Sequence, residues 1–161
     1  MRASSKRSNN LQGTVTCPGD KSISQRSVII GSLLDEDIQI SGFLFAEDPL
    51  STIGALRNLG HEIEIDDDTV SVKNSRKKIS DQKVSCNLGN SGTGFRLISG
   101  LIAGQEIDAE LTGDDSLSKR PMNRIINPLN EMGAKIESNK GCAPLIFNKS
   151  QLVKEFLYEM P

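Results

Sequence analysis

The chain has 161 residues, of which 25% are charged and 36% hydrophobic, with 19 basic and 21 acidic side chains. This composition is typical of a globular domain with one hydrophobic core. The near balance of charge excludes a global field that attracts nucleic acid or an anionic membrane. Tryptophan is absent and aromatic residues make up only 4%, which disfavours a surface on which the bases of single-stranded nucleic acid could stack. We therefore expect no nucleic-acid or membrane partner, and any anion site must be local.

The cysteines Cys17, Cys86 and Cys142 stand far apart, without a CxxC pair. This usage is typical of a reducing compartment and predicts neither a disulfide framework nor a metal site. Residues 1–10 are basic and serine-rich but lack the apolar segment of a secretory signal, so we expect a flexible leader there. No apolar run approaches the ~20 residues that cross a bilayer. The sequence thus predicts a cytoplasmic protein.

The predicted elements, taken in chain order, form two similar series. The first contains a strand at 11–17, a helix, a strand, a second helix and a hairpin, in the segments "LQGTVTC", "SVIIGSLL", "DIQISG", "PLSTIGALRNLG", "HEIEI" and "TVSV". The second contains "KVSCNL", "RLISGLIA", "DAELTG", "PMNRIINPLNEMG", "AKIES" and "APLIF". Gly60 and Gly133 follow the second helix of each series, where a glycine commonly ends a helix. Each series therefore has the order β-α-β-α-β-β.

Matching sequence segments indicate that one unit was duplicated. "LRNLGHEIE" resembles "LNEMGAKIE", "IQISG" resembles "AELTG", and "SISQRSVIIG" resembles "GTGFRLISG", in the same order. Arg26 and Arg96 occupy equivalent places in the last pair. We predict an α/β (α+β) fold with repeat units at about 11–80 and 81–150, joined by an exposed linker around "KNSRKK", residues 73–78. The acidic run from Glu62 to Asp68 is expected to be a solvated hairpin rather than a metal site.

The segment "CPGDKSISQR" places donors for anions at the start of a helix. Ser22 followed by Gln25 is a capping-box pattern, which predicts that Ser22 caps this helix. A helix N-terminus attracts anions, and Lys21 and Arg26 add positive charge on either side of it. The alternative is an ordinary cap with a solvated lysine and arginine. A P-loop is excluded because its glycines are missing, Asp20 standing at one of those positions.

The segment "LGNSGTGFR" has three glycines within six residues, at the place equivalent to the first turn. The glycines follow the order GxxGxG rather than GxGxxG, so the dinucleotide fingerprint is not met. Their lack of side chains lets a ligand approach the backbone closely. Alone, this glycine-rich turn is weak evidence for a ligand site. Its position, equivalent to that of the first turn in the repeat, strengthens the evidence.

A third segment, "GDDSLSKRPMNR", combines acidic and basic residues before a helix. Pro121 suits the first position of a helix, which would place Arg120 at the mouth of that helix. The alternative is a structural role in which Asp114 and Asp115 pair with Lys119 and Arg120.

These three segments, as "PGDKSISQR", "LGNSGTGFR" and "LTGDDSLSKRPM", resemble the three N-terminal signatures of the EPSP synthase (3-phosphoshikimate 1-carboxyvinyltransferase) family. The resemblance covers residues 11–161. It implies the enolpyruvyltransferase fold, an inverse α/β barrel of two similar domains built from β-α-β-α-β-β units. The chain would be an incomplete form of that fold, a partial N-terminal domain with the second domain missing, and it would be inactive unless another polypeptide supplied the rest.

The resemblance also implies an activity and a set of site residues. The family transfers the enolpyruvyl group of phosphoenolpyruvate to shikimate 3-phosphate, a step of chorismate and aromatic amino-acid biosynthesis, without metal or organic cofactor and as a monomer. Glyphosate takes the phosphoenolpyruvate place in this family. By match, Lys21 is the catalytic candidate and would contact both substrates. Shikimate 3-phosphate would also contact Ser22 and Arg26, and phosphoenolpyruvate would also contact Gly92 and Arg120. The weaker candidates are Asp48, Asn90, Thr93 and Arg96.

Two other functions remain open from the sequence. A related enolpyruvyltransferase acts on UDP-N-acetylglucosamine, but it has Lys-Asn where this chain has Lys21-Ser22, and an active-site cysteine near the third segment. A non-catalytic anion-binding or interaction module of the same fold is the other possibility.

Overall fold

The computed structural model describes residues 3–7, 9–74, 83–151, 155 and 157. Within these ranges the helices are α1 (Lys21–Gly31), α2 (Glu47–Asn58), α3 (Gly92–Gly104) and α4 (Asn123–Met132). The strands are β1 (Ile38–Ser41), β2 (Ile63–Asp66), β3 (Thr69–Val72), β4 (Val84–Asn87), β5 (Ala109–Thr112), β6 (Lys135–Asn139) and β7 (Cys142–Asn148). A short 3-10 turn covers Leu117–Lys119.

The strands form two sheets with the same internal order. The first sheet is β1-β3-β2 and the second is β4-β5-β7-β6. Strands β5, β7 and β6 thus repeat the arrangement of β1, β3 and β2, with antiparallel pairing throughout. Strand β4 adds to the second sheet in parallel with β5. The α/β fold with repeated units that the sequence predicts is therefore confirmed in the order of its strands.

One continuous hydrophobic core holds the helices against the sheets. Strand β3 buries Val70 and Val72 completely, while Thr69 and Ser71 alternate toward the other face. Helices α1, α2 and α3 pack on one another, so the two units meet through their helices. Phe95 of α3 and Leu56 of α2 are both fully buried. Each such side chain contributes about 1.5–3 kcal/mol by leaving water.

The helix ends and hairpins lie where the sequence predicts them. Gly60 (φ 96°) follows α2 and Gly133 (φ 119°) ends α4, both with the positive φ that glycine adopts most readily. The acidic run forms the exposed β2–β3 hairpin. The predicted linker at 73–78 lies mostly outside the described residues. No helix in the described part of the chain combines the length and apolar character needed to cross a membrane.

The strand predicted at 11–17 is wrong. Residues 10–20 have no regular secondary structure, and Leu11 and Val15 are 87% and 85% exposed. The equivalent strand of the second unit, β4, is held by hydrogen bonds to β5, whereas β1 pairs only with β3 among the described strands. A short extended segment without a hydrogen-bonded neighbour does not form a stable strand by itself.

Two predicted helix starts are also wrong. Helix α1 is capped by Asp20, whose carboxylate accepts a 2.7 Å hydrogen bond from the Ile23 amide, so Ser22 lies inside the first turn. Helix α4 starts at Asn123 rather than at Pro121. Arg120 is extended (φ −82°, ψ 134°), as steric contact with a following proline requires, and it ends the 3-10 turn instead of lying at the mouth of α4.

Candidate functional site

The first part of the site is the start of α1. The Asp20 cap leaves Lys21 as the first helical residue, and the Lys21 Nζ atom lies 2.9 Å from Asp48 Oδ2 in the first turn of α2. The side chains of Lys21 and Asp48 are 50% and 23% exposed, so this ion pair adds little to stability. Its effect is to fix the ammonium beside the N-terminus of α1.

Ser22 and Arg26 lie on the same helix, one turn apart. Arg26 is exposed and Ser22 is half-buried. Neither side chain has a hydrogen-bond partner within the described ranges, so both can bind a solute without first breaking an internal contact. Side chains four residues apart on a helix share a face, which places this hydroxyl and this guanidinium side by side.

The second part of the site is the start of α3. Ser91 caps this helix, its Oγ atom accepting a 3.2 Å hydrogen bond from the Gly94 amide. Gly92 is therefore the first helical residue, where amide groups remain unpaired by the helix. Arg96 lies one turn further along and donates from Nη1 to the Gly92 carbonyl at 2.9 Å. Thr93 is exposed and makes no hydrogen bond through its side chain within the described residues.

The third segment brings Arg120 to the same helix start through a chain of polar contacts. Arg120 Nη2 donates to Asn90 Oδ1 at 2.6 Å and to Ser116 Oγ at 3.3 Å. Asn90 Nδ2 in turn donates to Asp114 Oδ2 at 2.7 Å, and the Leu117 amide donates to Asp114 Oδ1 at 2.7 Å. Asp114 thus reaches Arg120 through Asn90. The direct pairing of Asp114 and Asp115 with Lys119 and Arg120, the alternative left open by the sequence, is not formed among the described residues.

The hydrogen bond from Asn90 is also the main reason that the pKa of Asp114 is lowered from its usual value. The Leu117 amide is the next cause, and the positive charge of Arg120 adds to both. Hydrogen bonds to the ionised carboxylate favour that form. Asp114 therefore remains negative and keeps Asn90 oriented with its carbonyl oxygen toward Arg120.

Two guanidinium groups converge on Gly92. A Cβ atom built at this position would lie 2.9 Å from Arg120 Nη1 and 3.0 Å from Arg96 Nη1. The two Nη1 atoms are therefore less than about 6 Å apart, and their like charges repel. The N-terminal end of the α3 dipole adds partial positive charge at the same point. Such an arrangement favours a bound anion that neutralises both cations.

A buried glutamine that the sequence motif did not single out for this role joins the two helix starts. Gln25 of α1 is fully buried, and its Nε2 atom donates to Ser91 Oγ at 2.7 Å. The capping-box pattern assigned Gln25 to its own helix, but the side chain turns inward. The available signal was its position directly before Arg26, with Val28 and Ile29 following on the buried face of the helix.

The structure thus brings the candidate residues together as two groups. Lys21 and Asp48 are in direct contact, and Asn90, Arg96 and Arg120 surround Gly92. The assignment of individual residues to individual substrates stays a prediction.

Comparison with known proteins identifies the family of this chain. The sequence profile of the EPSP synthase (3-phosphoshikimate 1-carboxyvinyltransferase) family matches residues 5–160. The chain is 49% identical over 158 residues to the 3-phosphoshikimate 1-carboxyvinyltransferase of Vesicomyosocius okutanii, and 45% identical over 152 residues to that of Thermoanaerobacter sp. (strain X514). These alignments cover 96% and 94% of this chain and 36% of each relative.

Solved structures give the same result. An EPSP synthase structure from Acinetobacter baumannii superposes with a TM-score of 0.82 at 39% identity, over 92% of this chain and 35% of that one. A second structure from the same organism gives 0.77 at 40% identity, over 87% and 33%. The chain spans about a third of the length of these proteins. It belongs to the EPSP synthase family.

Proposed function

We propose that the protein carrying this chain transfers the enolpyruvyl group of phosphoenolpyruvate to the 5-hydroxyl of shikimate 3-phosphate, giving EPSP and phosphate. The observation that carries this proposal is the convergence of Arg96 and Arg120 on Gly92 at the start of α3, in a chain of the EPSP synthase family. The chain spans about a third of the length of its relatives. We therefore assign to its residues the anion-binding part of the reaction.

The reaction needs several cations because both substrates carry several negative charges. Their reacting atoms must approach to ~3–3.5 Å. At ~5 Å and an effective dielectric constant of ~20, each pair of unit charges repels by about 3 kcal/mol. A hydrogen bond to a charged group returns ~1.5–3 kcal/mol, so one cation does not suffice. Lys21, Arg26 and Arg120, with the starts of α1 and α3, supply charge of the required size.

The arrangement at α1 supports the binding of shikimate 3-phosphate by Lys21, Ser22 and Arg26. The ammonium of Lys21 has three N–H donors, and its contact with Asp48 occupies one of them. The others remain for a phosphate, for the attacking hydroxyl, or for both substrates in turn. Asp48 then orients Lys21.

The arrangement at α3 supports the binding of phosphoenolpyruvate by Gly92 and Arg120. Only glycine leaves the space between the two guanidinium groups open. Arg120 reaches that space with Nη1 while Nη2 stays on Asn90, so the guanidinium can bind an anion without losing its support. Arg96 is held on the Gly92 carbonyl and adds charge.

We also propose that the protein is monomeric and cytoplasmic and that it requires neither metal nor organic cofactor. Free cysteines at Cys17, Cys86 and Cys142 support a reducing compartment. The ligands are small anions, and the net charge of −2 gives no general attraction for nucleic acid.

The test uses the protein expressed from its complete reading frame, with both substrates added. We expect release of inorganic phosphate and formation of EPSP, followed by mass spectrometry. Phosphate release with UDP-N-acetylglucosamine but not with shikimate 3-phosphate would identify the related enzyme instead. Binding of both anions in calorimetry without phosphate release would identify a non-catalytic module.

A further inference from the structure

Gln25 of α1 makes polar contacts with α2 and α3, where the two repeat units meet. The two N–H groups of its Nε2 atom face three acceptors, the Asp48 carbonyl at 3.2 Å, Thr52 Oγ1 at 3.0 Å and Ser91 Oγ at 2.7 Å, so the three hydrogen bonds share two hydrogens. Asp48 and Thr52 belong to α2, and Ser91 caps α3. Gln25, Thr52 and Ser91 are each 0% exposed. We call these three residues the helix junction.

The partners fix the orientation of the Gln25 amide. The Asp48 carbonyl can only accept a hydrogen bond, so the amide nitrogen must face it. Thr52 Oγ1 also donates to this carbonyl, at 3.1 Å, and is therefore free to accept from Gln25. Ser91 Oγ accepts from Gln25 and from the Gly94 amide. The side chain of Gln25 thus holds the group that caps α3.

The backbone of α3 lies directly on the helix junction. A Cβ atom at Gly94 would lie 2.6 Å from Thr52 Oγ1, 2.7 Å from Ser91 Oγ and 3.0 Å from Gln25 Nε2. Because these atoms lie so close to the α3 backbone, a shift of the first turn of α3 must be accompanied by a shift of the helix junction. The spacing between the starts of α1 and α3 is therefore set at this junction.

The other end of the same amide carries a cost in stability. Its Oε1 atom is buried and has no hydrogen-bond partner within the described part of the chain. Leaving a buried carbonyl oxygen unpaired costs free energy that an apolar side chain of similar length would not cost. The hydrogen bonds of the amide nitrogen to α2 and α3 offset part of this cost, and they form only when the three helices keep their present arrangement.

We propose that Gln25 is a positioning residue that couples the two anion-binding helix starts. This inference rests on the proposed function. Gln25 directly precedes Arg26 and follows Ser22 by three residues, so it shares a helix turn with the groups assigned to shikimate 3-phosphate. Its hydrogen bond to Ser91 holds the helix start that presents Gly92 to phosphoenolpyruvate. Occupancy of one helix start then favours the bound arrangement of the other.

The test measures the affinity for phosphoenolpyruvate with and without saturating shikimate 3-phosphate, in the protein expressed from its complete reading frame. Gln25→Met keeps the length of the side chain but removes the donor. The measured quantity is the dissociation constant without shikimate 3-phosphate divided by the constant with it. In Gln25→Met we expect this ratio to be at least about fivefold smaller than in wild type and closer to one, the order expected for loss of one hydrogen bond. Ser91→Ala, which removes the acceptor, should have the same effect, and the double variant should add nothing further.

Ser99→Ala is the matched control. Ser99 is also a fully buried serine of α3, but its hydroxyl donates only to the Phe95 carbonyl of its own helix. A general loss of packing would lower the melting temperature of all three variants, whereas only the junction variants should change the ratio. Ser91→Ala decides the question by itself if Gln25→Met does not fold.

The outcomes separate the two proposals. A wild-type protein that binds neither anion contradicts the proposed function. A wild-type protein that binds both anions independently contradicts the inference about Gln25 alone. The inference is also wrong if both junction variants keep the wild-type ratio within twofold.

Discussion

Asn90 lies between Arg120 and Asp114 and hydrogen-bonds both, accepting from Arg120 Nη2 at 2.6 Å and donating to Asp114 Oδ2 at 2.7 Å. Through Asn90, the exposed carboxylate of Asp114 helps to fix the position of the Arg120 guanidinium in the candidate site. The amide is suited to the task because it has one acceptor and one donor group on the same plane. The predictions below concern the protein expressed from its complete reading frame.

Arg120→Ala should weaken phosphoenolpyruvate binding by ~2–4 kcal/mol, because an anion would lose a charged, two-pronged partner. Arg120→Lys should lose less, since the charge remains while the planar fork is gone. Calorimetric titration measures both. Arg124→Ala, at an exposed arginine of the next helix, is the control and should bind normally. Unchanged affinity in Arg120→Ala would remove this residue from the site.

Asn90→Ala should weaken the same binding by ~1–2 kcal/mol, because Arg120 would lose its support. Combining it with Arg120→Ala should cost little more than Arg120→Ala alone, since the two residues act through one contact. The control is Asn58→Ala, at an exposed asparagine whose side chain donates to the Ser85 carbonyl. Additive losses would show that Asn90 acts independently of Arg120.

Gly92→Ala should push Arg96 and Arg120 apart, because the new methyl group would lie about 3 Å from both Nη1 atoms. Both atoms end flexible side chains, so the fold should survive. Affinity for phosphoenolpyruvate and inhibition by glyphosate should both fall, by about 1–2 kcal/mol. Gly100→Ala is the matched control in the same helix, since nothing lies within 4 Å of its added Cβ. Equal inhibition of both variants by glyphosate would contradict the prediction.

The lowered pKa of Asp114 predicts a pH dependence of stability. The folded-state pKa lies below the unfolded value of about 3.9. The stabilising contribution of this carboxylate is therefore present above that value, and it is lost as the pH falls through the folded-state pKa. Urea unfolding between pH 2.5 and 7 should show a shallower acid-side loss of stability in Asp114→Ala than in wild type.

The neighbouring carboxylate provides the control for that measurement. Asp115 is also exposed but makes no hydrogen bond within the described residues. Asp115→Ala should follow the wild-type profile. If Asp114→Ala also follows the wild-type profile, the hydrogen bond from Asn90 does not stabilise the ionised form of Asp114 over the protonated form.

The cysteines should differ strongly in reactivity. Burial raises the pKa of Cys86 to about 11, and its thiol donates to the Ala55 carbonyl. At pH 8 only about one Cys86 thiol in a thousand would be ionised, and the thiolate is the reactive form. Cys17 is exposed and should react first with a thiol reagent, as peptide mapping by mass spectrometry would detect. Equal labelling of Cys86 and Cys17 in the folded protein would contradict this.

Local patterns were sufficient for most elements. Alternating apolar residues predicted the β2–β3 and β6–β7 hairpins, because a half-buried strand exposes every second side chain. Gly60 and Gly133 predicted the helix ends because few other residues adopt their backbone conformation. The strand predicted at 11–17 failed, since a strand requires a partner that a local pattern does not reveal.

For the candidate site, too, the sequence was sufficient for some features and the tertiary structure was needed for others. The sequence by itself determined which residues carry charge next to helix starts, and the repeat placed Arg26 and Arg96 in equivalent positions. Only the tertiary structure decided that Arg120 meets Arg96 at Gly92, that Asp114 acts through Asn90, and that Gln25 turns away from its own helix to hold Ser91. The physical reason is that these contacts join residues 24 to 66 positions apart, and their geometry depends on how whole helices pack.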